Sequence, residues 1–384
     1  MTAKPESSLE RLFREIPEHG EVSLNSLARR LGLRSSSVLE KVRPLLKKGI
    51  LVVRDRRSRI GINPEFGHVM GIDLGASHLH FALADFGGEI LGDSTIKIRP
   101  EDGPHKVVGQ IKEGLRSLVA KAGRGRLRAV GIGVPSAVDA ERGIVAFANN
   151  LPGWKDIHLG RELEKEFRVP VFMENDANMA AIGERWRGVA RGVSNFVFIA
   201  IGTGIGSGVF VDGKLYRGHS GWAGELFRMN IDWPKWSEDF GDTGHFESYV
   251  SGMGIAAEGR KALPMPASTS ASGLAQERDA FFVFESFRQG NAEARAVLEK
   301  IFIMLGVGIA NVVAILEPDL IVLGGGITKG APEFMLATAE KVVRAIQKDL
   351  TPPLKLSSLE DKAQTFGAIY AALQAARDAV ARRL

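Results

Sequence analysis

The chain of 384 residues is 45% hydrophobic and 25% charged, an ordinary balance for a globular protein of two or three domains that excludes wholesale disorder. It contains no cysteine, which excludes disulfides, cysteine-ligated zinc, iron–sulfur clusters and a thiol nucleophile and fits a reducing cytoplasm. The net charge of +5 is unevenly placed: residues 1–66 hold 14 Lys and Arg against 8 Asp and Glu, a net of +6, and the remainder carries −1. A short basic segment ahead of a neutral body is the footprint of a nucleic-acid-binding module.

The start, Met1–Ser8, is polar and contains Pro5, unlike a signal peptide. Apolar residues at Leu9, Leu12, Phe13 and Ile16 then predict a helix over Ser8–Pro17. Ser23 is placed to cap a second helix, Leu24–Leu31, and Gly32-Leu33-Arg34 makes a turn. A third helix opens at Ser35-Ser36-Ser37, carries the stripe Val38, Leu39, Val42, Leu45 and Leu46, and ends at Gly49. Pro44 within it removes a hydrogen bond and should kink it. Ile50–Val53 and Ile60–Ile62 read as short strands around the basic loop Arg54–Arg59.

Helix, helix, turn, helix and basic hairpin make a winged helix-turn-helix over residues 1–66. In such a module Ser35, Ser36, Ser37 and Lys41 face base edges and phosphates, while Arg56, Arg57 and Arg59 in the wing reach the backbone or minor groove. A three-helix protein-interaction module shares the apolar pattern, but the basic wing and hydroxyl-rich helix start favour operator DNA. Two-fold operators suit a homodimer.

From Gly67 the pattern becomes α/β. Strands are predicted at His68–Gly75, Leu79–Asp85 and Glu89–Ile98, a helix at Val107–Lys121 and a strand at Leu127–Gly133. The same grammar restarts with the strand Phe196–Ile201, a glycine-rich turn over Gly202–Gly208 and a return strand Gly208–Val211, which suggests a duplicated architecture. Two glycine turns facing each other would clamp a phosphate between lobes, because backbone N–H groups approach an anion only where side chains are absent. Pro264–Asp279 reads as a mobile surface insertion. Ile301–Leu316 is uncharged but shorter than a membrane span, so it reads as a core helix and no membrane partner is expected. Gln364–Leu384 is an amphipathic helix packing back on the first lobe.

Three glycine clusters stand out in order: Asp73-Leu-Gly75, Gly202-Thr203-Gly204-Ile205-Gly206, and Gly324-Gly325-Gly326 after the strand Leu320–Leu323. Between them Glu174-Asn175-Asp176-Ala177-Asn178 follows a short strand, Val169–Met173. With these motifs the sequence from about His68 onward resembles the ROK family of repressors, open reading frames and sugar kinases. That resemblance implies a two-lobed actin-like, hexokinase-like ATPase fold behind the winged helix. The first lobe would span 67–187, completed by the helix 364–384, and the second lobe 188–363.

The resemblance also implies roles. Asp73 and Gly75, with Ser77, form the first phosphate turn, the Asp helping to hold Mg²⁺; Gly202, Thr203 and Gly204 form the second, and Gly324–Gly326 the turn near adenosine of ATP. Asp176 matches the general base that takes a proton from the attacking sugar hydroxyl. Asn150, Asn175, Glu225 and Glu247 match positions that hydrogen-bond sugar hydroxyls.

The departures are informative. At the four positions where the family carries zinc ligands this chain has Arg228, Glu238, Phe240 and His245, a set that does not hold tetrahedral zinc; no structural zinc is expected. Arg228 and Glu238 could pair across the gap while Phe240, Trp233 and Trp236 fill it. The first phosphate turn reads Gly75-Ala76-Ser77-His78, without the lysine usual in the kinases. The expectation is therefore a sugar-responsive, DNA-binding regulator in the cytoplasm, with an ATP-dependent sugar kinase as the alternative.

Overall fold

The structure is a computed structural model that describes residues 8–16, 20–54, 59–121, 126–147, 151–264 and 273–383. The chain forms two compact units, Met1–Asn175 with Thr365–Leu384, and Asp176–Gln364.

The first unit begins with helices α1 (Ser8–Glu15), α2 (Leu24–Leu31) and α3 (Ser35–Lys47), with the short strand β1 (Val22–Ser23) between the first two. The Ser23 hydroxyl accepts the Ser26 N–H at 3.2 Å and caps α2 as its position predicts. Leu12, Phe13, Leu27, Leu31, Val38, Val42 and Leu45 are buried together as the module's core. Strands β2 (Leu51–Val53) and β3 (Arg59–Ile62) form the antiparallel wing hairpin, and β1 adds to β3 to complete a three-stranded sheet. Pro44 lies inside α3, which runs on to Lys47, where the Lys48 N–H caps the end by donating to the Pro44 carbonyl at 3.0 Å.

Behind the module lies a five-stranded sheet of β4 (His68–Leu74), β5 (His78–Asp85), β6 (Ile90–Lys97), β7 (Leu127–Val134) and, after the small sheet β8 (Ala137–Asp139), β9 (Ile144–Phe147) and β10 (Lys155–Ile157), the edge strand β11 (Val171–Asn175). Helix α4 (Gly103–Lys121) precedes β7 and α5 (Leu159–Phe167) precedes β11. The order β11-β7-β4-β5-β6 joins an antiparallel meander, β4 to β6, to two parallel strands. The C-terminal helix, Ala363–Arg382, covers this sheet so closely that a Cβ on Gly131 would stand 2.0 Å from the Ala368 carbonyl oxygen, in agreement with the amphipathic reading of that helix.

The second unit repeats the plan. Helix α6 (Asp176–Arg187) leads into the meander β12 (Phe196–Ile201), β13 (Ile205–Val211) and β14 (Lys214–Leu215). After α7 (His245–Val250), α8 (Gly252–Ala262), α9 (Gly273–Arg288) and α10 (Ala292–Leu316) come the parallel strands β15 (Leu320–Gly324) and β16 (Leu354–Leu356), with α11 (Pro332–Gln347) between them. The order β14-β13-β12-β15-β16 is that of the first sheet. The duplication inferred from two strand–turn–strand units is thus present at the level of topology.

Three expectations are corrected. The glycine turn spans only 202–204, because β13 starts at Ile205 and Gly206 and Gly208 lie within it. Both glycines are needed there: a Cβ would stand 2.7 Å from the Ala177 Cβ and 2.5 Å from the Ala181 Cβ of α6, respectively. The insertion over Pro264–Asp279 is shorter than expected; 265–272 lie outside the described residues, α9 begins at Gly273, and Asp279 is buried and ion-paired with Arg260. The strand before Asp176 starts at Val171 rather than Val169. Helix α10 alone among the described helices is long and apolar enough to cross a membrane, yet Leu298, Ile301, Phe302, Leu305, Ile309 and Val313 are buried in the second unit's core, as expected of a core helix.

Candidate functional site

In the module, Ser36 is exposed at the start of α3. The Ser35 hydroxyl donates to the Asn25 side-chain oxygen at 2.9 Å and Lys41 donates to the Ser8 hydroxyl at 2.8 Å, both at the surface. Ser37 is half-buried on the same turn. Arg59 opens β3 with its guanidinium 3.9 Å from the Glu21 carboxylate. Arg56 and Arg57 lie outside the described residues.

In the first sheet, Asp73 on β4 pairs in register with Gly133, and Asn175 on β11 with Val134, so the two stand at the carboxyl ends of the parallel strands that flank β7 on either side, where open α/β sheets bind their ligands. Gly75 makes the hairpin between β4 and β5, its N–H donating to the His78 carbonyl at 2.9 Å. Ser77 and His78 place Oγ and Nδ1 2.7 Å apart on this turn. Asn175 donates its side-chain amide to the Ser136 carbonyl at 3.3 Å. Ser136, buried just after β7, was not singled out from the sequence; its signal is the Gly133-Val-Pro-Ser136 turn at a strand end. Asn150 lies outside the described residues, though Leu151 and Trp154 of its segment are buried in the first unit's core.

In the second unit four segments converge on the β12–β13 hairpin. The close approach of α6 to Gly206 and Gly208 sets its first residue, Asp176, against β13. Ser207 donates to the Gly224 carbonyl and so fastens the segment that carries Glu225. The Glu247 carboxylate accepts the Ile205 N–H at 2.6 Å, and Gly252 at the start of α8 donates to the Gly202 carbonyl at 2.8 Å. Gly204 leaves room for this: a Cβ there would stand 2.5 Å from the Glu247 carboxylate oxygen. The Gly324–Gly326 turn lies beside the same hairpin, with Ala200 and Gly324 paired in register and Gly325 in the left-handed region (φ 91°) against the Ile201 carbonyl. Asp176, the second turn, Glu225, Glu247 and the third turn are therefore neighbours.

The electrostatics follow from this crowding. Burial pushes the Glu247 carboxyl up to about 7, against the opposing hydrogen bond from Ile205 and with help from Glu225. Burial also raises Glu225, partly offset by Arg228 and reinforced by Asp176. A phosphate approaching the Ile205 N–H would meet a carboxylate already seated there, and the first turn has no lysine. The Glu225 and Glu247 carboxyls are placed to accept hydrogen bonds from hydroxyl groups when ionised. A sugar hydroxyl donating to ionised Glu247 favours the charged form, so binding should release a proton. Sugar affinity is expected to tighten about tenfold from pH 6 to pH 8, and Glu247→Gln should flatten that profile in calorimetric titrations.

The region corresponding to the family's zinc loop departs from expectation in two ways. Arg228 does not pair with Glu238; its guanidinium stands 4.9 Å over the Phe227 ring and acts on Glu225, because the short helical turn at Leu226–Arg228 directs it there. Trp233 and Trp236 do not fill the gap and are 82% and 78% exposed. Phe240 does fill it, edge-on to His245 at 4.7 Å and 6.5 Å from Tyr249. Burial lowers the His245 pKa and keeps the ring neutral, with Nδ1 accepting the Ile231 N–H at 3.3 Å. Two former ligand positions thus form an aromatic contact. Phe240→Ala should cost about 1–3 kcal/mol and weaken sugar binding measurably. Exposed Glu238→Ala should stay within about 0.5 kcal/mol, a contrast that urea unfolding reads directly.

The ROK family matches residues 69–375. The xylose repressor of Bacillus subtilis strain 168 is 28% identical over 93% of this chain and 92% of its own length. The glucokinase of Thermotoga maritima is 31% identical over 78% of this chain and 95% of its own. The crystal structure of a ROK family transcriptional regulator, a homolog of the E. coli MLC protein, superposes with a TM-score of 0.82 over 98% of this chain and 97% of that one at 24% identity, and so shares the fold.

Proposed function

Since the chain belongs to the ROK family, we propose that it is a sugar-responsive transcriptional regulator that reads operator DNA through its winged helix and a sugar through its actin-like body. The observation that carries this is the N-terminal module. The repressor relative aligns over 93% of the chain, a length that must include most of the module, whereas the glucokinase covers 78%. A basic winged helix of +6 serves a regulator and has no use in a kinase.

In this reading the module is residues 1–66, the first lobe 67–187 with 364–384, and the second lobe 188–363. Ser35, Ser36, Ser37, Lys41, Arg56, Arg57 and Arg59 contact DNA; Asp176, Glu225 and Glu247 accept sugar hydroxyls, with Asn150 and Asn175 as the first unit's contacts. The protein acts in the cytoplasm as a homodimer on a two-fold operator. The relatives' names make D-xylose and D-glucose the first sugars to try.

A second reading, an ATP-dependent sugar kinase, is supported by Asp176, which opens α6 beside β13 and would then act as the general base. In that case Asp73, Gly75, Ser77, Gly202–Gly204 and Gly324–Gly326 would hold Mg-ATP, which supplies the phosphoryl group. Thermal unfolding with sugars, with and without Mg-ATP, tests both. A sugar at a hundred times its Kd should stabilise by about 2.7 kcal/mol with no need of nucleotide. Turnover at about 1–100 s⁻¹, abolished by Asp176→Asn, would overturn the regulator reading.

A further inference from the structure

The winged helix does not hang on a slack linker. The turn that leaves it, Pro64–Phe66, is stitched to the module on one side: the Asn63 side chain donates to the Gly49 carbonyl at 2.6 Å, and the Asn63 N–H to the Ile50 carbonyl at 3.0 Å. On the other side it is stitched to the sheet. The Phe86 N–H donates to the Pro64 carbonyl at 3.2 Å, and the Phe66 ring packs edge-on to Phe86 at 5.0 Å. Arg128 on β7 closes the clasp. Its guanidinium lies 3.8 Å over the Phe66 ring and donates from Nε and Nη2 to the Phe66 carbonyl at 3.0 and 2.6 Å.

The following residue makes room for this. Gly67 is extended, so its backbone would accept any residue, but a Cβ would stand 2.6 Å from the Arg126 carbonyl and 2.6 Å from the Arg128 side chain. Burial and the flanking charges of Arg126 and Arg383 pull the Arg128 pKa below its ordinary range. No carboxylate is among those influences, so the stacking and the fork on Phe66 hold the side chain in place. A planar, five-donor cation suits that task, and an ammonium does not.

We propose that Arg128 is the positioning residue of a rigid joint that makes the winged helix and the first sheet move as one body. The joint rests on the regulator reading for its purpose: a ligand-driven change in the body reaches the recognition helix only if nothing between them gives way. Motion of the sheet then becomes motion of α3 without loss.

The chain's lack of cysteine makes the joint directly measurable. Spin labels on Lys47→Cys in the module and Ser117→Cys on α4, both exposed positions, report the distance between module and body by pulsed electron resonance. The parent should give one narrow distance distribution. Arg128→Ala and Gly67→Ala should broaden it at least twofold, and Arg128→Lys, which keeps the charge but loses the fork and the stack, should broaden it as well. Equal widths in all four proteins, or a parent already broad, would overturn the joint.

The second arm measures affinity for a DNA selected on the parent from a random pool, with and without D-xylose or D-glucose. The parent's response, about 5–150-fold for an allosteric coupling, should fall below twofold in Arg128→Ala while sugar affinity is unchanged. Variants that are broad yet respond like the parent would overturn the coupling role. A parent that selects no DNA, or that neither sugar affects, would overturn the regulator reading and with it the coupling, while the distance widths would still decide whether the joint is rigid.

Discussion

Replacing Arg56, Arg57 and Arg59 together by alanine should weaken DNA binding on the order of 10²-fold near 0.15 M salt, about equally for every sequence. Each arginine on a phosphate releases about 0.9 of a counterion, so three lost contacts should cut the slope of log affinity against log salt by about 2.7. The hairpin of β2 and β3 provides the scaffold, and Arg59 at its return pairs at the surface with Glu21, 3.9 Å away. A surface pair of this kind is worth about 0–1 kcal/mol, less than a phosphate contact can offset. Ser36→Ala at the exposed start of α3 should behave differently, changing sequence preference and leaving the salt slope intact. An unaltered slope in the triple variant would remove the wing from the DNA interface.

Asp176→Ala should weaken sugar binding by about 10–150-fold, the equivalent of losing one charged hydrogen bond at about 1.5–3 kcal/mol. Asp176 also acts on Glu225, whose pKa it raises, so its removal should let Glu225 ionise at lower pH. The pH profile of sugar binding should therefore shift to the acid side in Asp176→Ala while remaining sensitive to Glu247. Calorimetric titration across pH reads affinity and profile together. Affinity within twofold of the parent would take Asp176 out of the sugar site.

Much of this was legible in the sequence because local chemistry and fold agreed. Ser23 caps α2 where a serine before an apolar periodic run should, and the β12–β13 hairpin turns at Gly202–Gly204. The failures came where distant segments decide. Pro170 delays β11 to Val171, since it has no N–H to give and contributes only its carbonyl, which accepts the Val130 N–H at 3.0 Å. Gly206 and Gly208 looked like turn residues, yet they are strand glycines required by the alanines of α6. Arg228 and Glu238 have opposite charges at matching family positions, but pairing depends on where two loops carry them, and Phe227 and Glu225 claim the arginine instead. The seating of Glu247 on Ile205 joins residues 42 apart and left no local trace beyond the small residue at Gly204.

The most direct test of the account is a titration of selected operator DNA with the full chain, repeated with saturating sugar. The account predicts that one sugar, bound without ATP, changes DNA affinity at least fivefold, and that Glu247→Ala abolishes that change while leaving sugar-free DNA binding intact. Sugar that binds the parent and leaves its DNA affinity unaltered would contradict it.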